Sequence, residues 1–545
     1  MTQPAPLHHF LIGLLFLLST SPSNADSPTS NALRLELDKF VSQDLDKSVT
    51  RKAGLTALQQ FYMARNFQPA WTQNDSQRTQ LETVLAFLAT AEEEGLNSED
   101  YQLHHLAQLA ENPSHSGYEL EFFTTLSLLQ FSSDLYRGRF TAANIDPDWH
   151  ISQPYFNAVS FLSEAIDSGN LQHSLENLAP GIPSYWLFKN ALAKYRDLVT
   201  RQVSWQQIPK IHLIRPGDTH PVIPLIRKRI TQAFDTHGKT EFNPGFSNES
   251  ENSHRYDTDL VNAIKAFQLQ HGLNTDGIIG KNTLNALNKT PLEKIQQLRI
   301  NMERLRWLPR DLGNRYLLVN IAGYQLAAIE NNQYILDMRI IVGRNYRSTP
   351  SFSSRITHLI VNPFWNVPDS IARKDLLPKQ QKNPDYFSNL NIKVYPNYAY
   401  NSEPIDPDSI DWAAIGNGFP YALRQDPGYQ NALGTIKFML PNRFSIYLHD
   451  TPSKELFDKD IRTFSSGCIR LEKPLQLAKF SLRDDTSIES LKEQINSGKT
   501  IKINLPQPLP TYIVYLTAWV DSQDKIHYSP DTYERDKRAL NFAHW

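Results

Sequence analysis

The chain is almost without cysteine: one thiol, Cys468, among 545 residues. A single thiol cannot form an internal disulfide, so packed cores must hold the fold. An excess of one charge is also lacking. Lys and Arg total 55 against 57 Asp and Glu, the formal net charge is −2, and no block of like charges stands out. That removes the compositional case for nucleic acid or an anionic membrane surface as a partner. No stretch after the N-terminus is long and apolar enough to read as a transmembrane helix. The rest is ordinary globular composition, 40% apolar and 21% charged. The length exceeds what one hydrophobic core supports, and about two to four domains are expected.

Residues 1–25 read as an export signal. Phe10 to Leu18 is a short apolar run, too short to span a bilayer, and Ser23-Asn24-Ala25 supplies small residues for cleavage after Ala25. No Lys or Arg precedes the run, so the other reading is a retained membrane anchor. Export makes the lone thiol informative. In an oxidising compartment it is a liability unless it has a task, and the alternative is an inert core cysteine.

Periodicity divides the remainder. Residues 32–205 look helical, with Leu33, Leu37, Phe40 and Val41, then Leu128, Phe131 and Leu135, at helical spacing. No acid pair or metal-spaced cluster appears there, so a structural or partner-binding domain is expected. Residues 213–290 predict a three-helix unit, with Asp276-Gly277 as a turn. Thr290-Pro291-Leu292-Glu293 is a capping box opening a connector helix over 291–314, with Leu292, Ile295, Leu298, Met302 and Leu305 expected along one face. From 315 the period becomes two. Strands are predicted at 316–321, 334–342, 355–362 and 443–449, helices at 474–482 and 487–495, and strands again at 512–520 and 526–528. The Pro-, Asn- and Asp-rich stretch 366–433 reads as a long irregular insertion, and such insertions are often lids. The catalytic domain is expected over 315–508, with C-terminal strands at 509–545 packing on it.

The chemistry gathers in the last third. In 443–449, alternation puts Phe444, Ile446 and Leu448 on one face and Tyr447 and His449 on the other, so His449 is expected at a strand end on the non-core face. Nineteen residues later comes Ser465-Ser466-Gly467-Cys468-Ile469-Arg470. The small residues before Cys468 permit a tight turn and close approach to a substrate. A cysteine nucleophile needs a base and oxyanion donors. His449 can be the base, against a mere packing role. Backbone N–H groups around Gly467 and Cys468 can be donors, and Tyr447 is a further candidate. Asp450 or a backbone carbonyl would orient His449. Arg470 can hold a substrate carboxylate or simply pair with an acid.

His449 with Ser465-Ser466-Gly467-Cys468-Ile469-Arg470 resembles the signature of the L,D-transpeptidases. Many members have histidine where this chain has Ser466, a departure shared by the large multidomain Gram-negative branch. The resemblance extends to Ile341-Val342-Gly343-Arg344, Asn362-Pro363-Phe364-Trp365-Asn366-Val367-Pro368, Asn431-Ala432-Leu433-Gly434 and Leu448-His449-Asp450-Thr451-Pro452. Phe267-Gln268, Gly272-Leu273, Asp276-Gly277, Gly280 and Thr283 resemble the peptidoglycan-binding domain pattern. Phe61-Tyr62 and Pro69-Ala70-Trp71 are similar to motifs of the branch's scaffold domain.

The resemblance implies a multidomain α+β fold: helical scaffold, three-helix peptidoglycan-binding domain, and a mainly β catalytic domain whose insertion caps the site. It implies a periplasmic enzyme with Cys468 as nucleophile and His449 as general base and acid. Ser466, Arg470, Trp365 and Asn366 are implied substrate contacts. The expected partners are peptidoglycan stem peptides and glycan, with other cell-wall synthases as further candidates; no metal or other cofactor is implied. The reaction would release the terminal D-Ala of a tetrapeptide donor and form a 3→3 cross-link, and carbapenems would acylate the same sulfur. The rival readings are hydrolysis or protein attachment from the same thioester, and a non-catalytic wall-binding protein. A papain-like protease has its cysteine before its histidine, the reverse of this order.

Overall fold

The computed structural model describes residues 28–43, 49–111, 113–182, 185–235, 253–399, 401–416, 418–483 and 486–543. The expected signal over 1–25 lies outside them. No helix among the described residues is long and apolar enough to cross a membrane.

The chain forms two compact units. The first comprises residues 1–88, 101–130 and 158–171. Its order centres on a buried carboxylate. Glu121 accepts hydrogen bonds from the Tyr62 hydroxyl (2.9 Å), the Trp71 amide (3.1 Å) and the Thr72 hydroxyl (2.9 Å). Burial raises the Glu121 pKa, and these donors oppose the rise. The Tyr62 and Trp71 motifs thus converge on one acid.

The second unit takes 89–100, 131–157 and 172–545. Helix Tyr185–Thr200 and connector helix Pro291–Arg306 share a core with Trp149, Trp307, Leu516 and Tyr528. The capping box forms: Thr290 accepts from the Glu293 amide, and the Glu293 carboxylate accepts from the Thr290 amide (2.8 Å). Leu292, expected on the apolar face, is 57% exposed instead, because the first turn leaves that side open; from Ile300 to Arg306 the helix is buried all round. The three-helix unit is built from Ile223–Asp235, Thr258–Gln270 and Lys281–Leu287 around Ile226, Ile230, Ile264 and Phe267.

The β region runs β1 (Arg315–Asn320), β2 (Gln325–Glu330), β3 (Gln333–Gly343), β4 (Phe352–Val361), β5 (Trp365–Asn366), β6 (Ile392–Tyr395), β7 (Ala422–Gln425), β8 (Ile436–Met439), β9 (Leu448–His449), β10 (Thr463–Ser465), β11 (Ile469–Leu471), β12 (Ile501–Val514), β13 (Ala518–Val520) and β14 (Ile526–Tyr528). The main sheet has the order β10-β3-β11-β9-β8-β4-β12-β1-β2, and β2 also pairs with β3. Eight strands therefore close into a ring, which leaves few free edges. Leu317, Val319, Leu326, Ile340, Leu448 and Ile469 belong to its core.

Three expectations change. The strand predicted over 443–449 is only Leu448–His449; Ser445 takes φ 55°, outside the β region, so pleating starts later. His449 does end its strand on the face away from the core, and it is buried there, 4% exposed. The 366–433 stretch is not irregular. It holds a three-stranded sheet, β5-β7-β6, over a core of Val367, Leu377, Phe387, Val394 and Leu423. The strand expected over 512–520 breaks after Val514. β12 begins at Ile501, lies between β4 and β1, and crosses the boundary drawn at 508; the C-terminal segment also ends in helix Arg535–Ala543.

Candidate functional site

The site forms where β9 and β11 run parallel. Ile469 pairs with Leu448 and Arg470 with His449, while Lys437 of β8 pairs with His449 from the other side. Side chains opposite one another in a ladder share a face. Leu448 and Ile469 enter the core; His449, Arg470 and Lys437 lie on the other face. Cys468, two residues before Arg470, closes the turn Ser466–Cys468 just ahead of β11.

That turn depends on two glycines. Gly467 has φ 117°, favourable only without a side chain. Behind it, a Cβ on Gly343 would lie 2.1 Å from the Arg347 carbonyl oxygen and 3.1 Å from the Gly467 Cα. The backbones can approach only because both residues are glycine. Thr349 fixes them, donating to the Gly467 carbonyl (2.8 Å) and accepting from the Gly343 amide (3.0 Å).

The thiol is partly accessible. The Ser445 carbonyl oxygen lies 3.9 Å from its Sγ, and the Tyr447 hydroxyl is hydrogen-bonded to it. Tyr447 is in turn bonded to Trp365 of β5, where the indole N–H can only donate. Lys437 Nζ sits 3.8 Å from the centre of the Tyr447 ring. Burial pushes the Cys468 pKa up; Tyr447, Lys437 and Arg470 pull it down by favouring the thiolate.

His449 Nδ1 lies 2.5 Å from the Asp450 carbonyl oxygen. A carbonyl only accepts, so Nδ1 carries the proton and Nε2 keeps a lone pair. The orienting group is thus the backbone. The Asp450 carboxylate serves elsewhere, accepting from the Thr435 amide and hydroxyl (both 2.9 Å), the Thr451 amide (2.8 Å) and Lys454 (2.5 Å). Burial first, then the Arg470 charge, brings the His449 pKa down to about 3. Thiol and imidazole are both driven toward their neutral forms.

The other expected residues divide. Trp365 joins the group. Asn366, next on β5, is exposed and has no hydrogen bond to it. The Ser466 hydroxyl accepts from Arg347 (2.9 Å), whose guanidinium also pairs with Asp375 of the insertion. The Gly467 amide is already occupied, donating to Ser465 Oγ (3.0 Å), whereas the Cys468 amide has no partner among the described residues. Arg470 forms no ion pair there, and its buried Nε has no hydrogen-bond partner. Arg344 is close enough to depress the Arg470 pKa further, after burial. Sequence reasoning missed Lys437 and Arg347. Nothing local marks a lysine on a short strand, and the Arg347 partner is distant in sequence. Among the described residues no cluster of His, Cys, Asp and Glu could hold a metal ion.

Residues 314–503 match the L,D-transpeptidase catalytic domain model, 56–192 the scaffold domain, and 243–287 the model described as "Putative peptidoglycan binding domain". A Haemophilus influenzae protein named "Putative L,D-transpeptidase" is 39% identical over 249 residues, 46% of this chain. The chain spans about half the length of that relative, 49%. A crystal structure of the L,D-transpeptidase (residues 123–326) from Xylanimonas cellulosilytica aligns over 56% of this chain and 99% of that one, at 13% identity and a TM-score of 0.18, too slight a likeness to bear on the fold. Catalytic, scaffold and peptidoglycan-binding matches lie in one chain, and its residues 314–503 belong with the L,D-transpeptidase catalytic domains.

Proposed function

We propose that this chain is a periplasmic L,D-transpeptidase that forms 3→3 peptidoglycan cross-links through a thioester on Cys468. The observation that carries the reading is the assembled group: a lone thiol bonded to Tyr447, on one ladder face with a neutral His449 and an Arg470 lacking an acid partner.

The proton inventory sets the order of events. With thiol and imidazole both neutral at rest, no ion pair waits in the site. As Sγ attacks the carbonyl carbon of the donor's third residue, His449 Nε2 takes the thiol proton. The carbonyl oxygen gains negative charge. The unpartnered Cys468 amide is its donor, in preference to the occupied Gly467 amide, and Tyr447 is within reach as a second. The carbon–nitrogen bond to D-Ala breaks, His449 returns the proton to the leaving amine, and the thioester remains. The acceptor's side-chain amine then attacks the thioester carbon. His449 takes that amine's proton and delivers it to the departing thiolate, restoring Cys468.

Arg470 and Arg344, two cations without ion-paired carboxylates among the described residues, suit a carboxylate of the stem peptide. Trp365 links the insertion to the nucleophile through Tyr447, which suits a cap that closes over bound donor. The signal over 1–25 delivers the chain, and the three-helix unit holds it on the wall. Whether amine or water resolves the thioester separates cross-linking from hydrolysis. The test is mass spectrometry of products from purified chain and defined muropeptides. A Cys468 adduct and 3→3 dimers are expected, both absent in Cys468→Ser. Tripeptide alone would identify a carboxypeptidase; dimers surviving in Cys468→Ser would refute the nucleophile.

A further inference from the structure

Away from Cys468, a cavity of about 660 Å³ opens between the three-helix unit, the connector helix and the C-terminal residues 528–541. That is the size range of pockets that hold small organic ligands. Lys294 of the connector lines it and is buried. Its Nζ donates to His271 Nε2 (3.0 Å) and lies 3.5 Å from the centre of the Tyr528 ring. His271 Nδ1 faces the Phe267 carbonyl oxygen (2.8 Å), so Nε2 is the accepting nitrogen.

Among the described residues no carboxylate is ion-paired with Lys294, although several line the same cavity. Asp460 accepts from the Asn274 amide (2.6 Å) and Asn282 (3.0 Å). Asp536 pairs with Arg304, and Glu293 closes the capping box. Asp531 accepts from Tyr515 (2.7 Å) and two backbone amides, and Glu534 faces Lys537 at the exposed rim. An ammonium group withdrawn from water without a counter-charge is costly: burial first, then the Lys289 charge, depresses the Lys294 pKa well below its ordinary value, and Glu293 only partly opposes them. At the mouth, Lys281 is exposed and has no ion-pair partner among the described residues.

We infer that this cavity is a second binding site for the stem peptide, in which Lys294 receives a stem carboxylate. The ligand's identity rests on the proposed function; the need for a carboxylate does not. The stem fits because it carries free carboxylates, and because the exposed Asn285 amide at the wall suits a peptide backbone. Asp460 ties the three-helix unit to the loop leading into β10 and the Cys468 turn. A stem held here stays attached to a chain whose active site works on its neighbours, raising local substrate concentration.

The test is calorimetric titration of the full chain carrying Cys468→Ala with a soluble tetrapeptide stem whose third residue is a diamino acid. Two stems per chain are expected, and one in Lys294→Met. Lys281→Glu, a rim change that spares the core, should weaken the same event. A stem with amidated carboxylates should bind this site about ten- to hundredfold more weakly, the worth of a charge-assisted hydrogen bond. A single event unchanged by Lys294→Met overturns the inference, as does equal binding of an unrelated acidic peptide. Release of D-Ala by the wild-type chain is followed in parallel and reads the Cys468 site alone. Release with a single, Lys294-independent binding event sinks this inference and spares the proposed function. Lys294-dependent binding without release does the reverse.

Discussion

Tyr447→Phe separates chemistry from packing at the site. The substitution keeps the ring beneath Lys437 but removes the hydroxyl bonded to Cys468. A hydrogen bond to a charged group is worth about 1.5–3 kcal/mol. Its loss should therefore cut the thiolate population at neutral pH by about ten- to hundredfold. The remaining thiolate is more basic and more nucleophilic, which recovers roughly half of the effect on a logarithmic scale. Net alkylation of Cys468 by iodoacetamide should slow about three- to tenfold, and its pH profile should move to higher pH. Cys468 is the only cysteine in the chain, so every adduct reports on this site. The expected outcome is a slower, shifted profile in a variant with wild-type circular dichroism. An unchanged profile in folded protein would refute the claim that the hydroxyl stabilises the sulfur, and would reduce Tyr447 to packing.

Three further perturbations follow from the same contacts. The buried His449 has a pKa near 3 against an ordinary 6.5, so its folded-state value is depressed. The associated stability is complete above pH 6.5 and falls with acidification toward pH 3, by up to about 1.4 kcal/mol per pH unit; urea midpoints at pH 7 and 4.5 should differ more for wild type than for His449→Gln, and equal differences would mean a solvated imidazole. Arg535 is fully buried between Asp146 (3.5 Å) and Asp148 (3.6 Å), so the double change Asp146→Ala/Asp148→Ala should cost about 3–5 kcal/mol by stranding a charge, read from the urea midpoint; a loss under about 1 kcal/mol would mean the guanidinium finds water. Asp375→Asn breaks the Arg347 contact to the insertion, a part-exposed pair worth about 1 kcal/mol. Hydrogen exchange over 369–382 should then quicken about fivefold, with the β12 amides unchanged; a uniform change would point to global loosening instead.

Much of the fold was legible because periodicity and caps are local. The connector helix announced itself through Thr290 and Glu293, and the structure forms both halves of that box. Helix Pro474–Leu482 and strand Ile526–Tyr528 fall where apolar spacing put them. The errors share a cause. Ile501 to Leu509 contains two prolines and pairs through a register shift, so it lacks the clean alternation that marks a strand, yet long-range pairing to β4 makes it one. Conversely, 443–446 alternates well but is bent by the left-handed Ser445. In 366–433, Pro and Asn suggested only loop, because three short strands and small helices hide among turn residues. Tertiary burial around Phe387 and Leu423 orders them.

At the site, residue types were legible and partners were not. A thiol, a histidine and small residues in a tight motif can be read in one dimension, since their spacing is their signal. Which amide remains free is decided by Ser465, whose hydroxyl accepts from Gly467 and donates to the Cys468 carbonyl at 2.5 Å. In the proposed mechanism that bond shifts the oxyanion role by one residue, and no spacing rule contains it. The cations follow the same logic. The sequence balances 55 basic against 57 acidic side chains, yet balance over the whole chain says nothing about neighbours. Among the described residues Arg470 sits part-buried without an ion-paired carboxylate, and Lys294, 176 residues earlier, is buried without one. Burying an unpaired cation opposes folding. A site that tolerates this cost is best explained by a ligand that supplies the missing anion, and peptidoglycan stems carry such groups. On the proposed function, the two cations, one beside the thiol and one beneath the three-helix unit, hold a single polymeric substrate at two points.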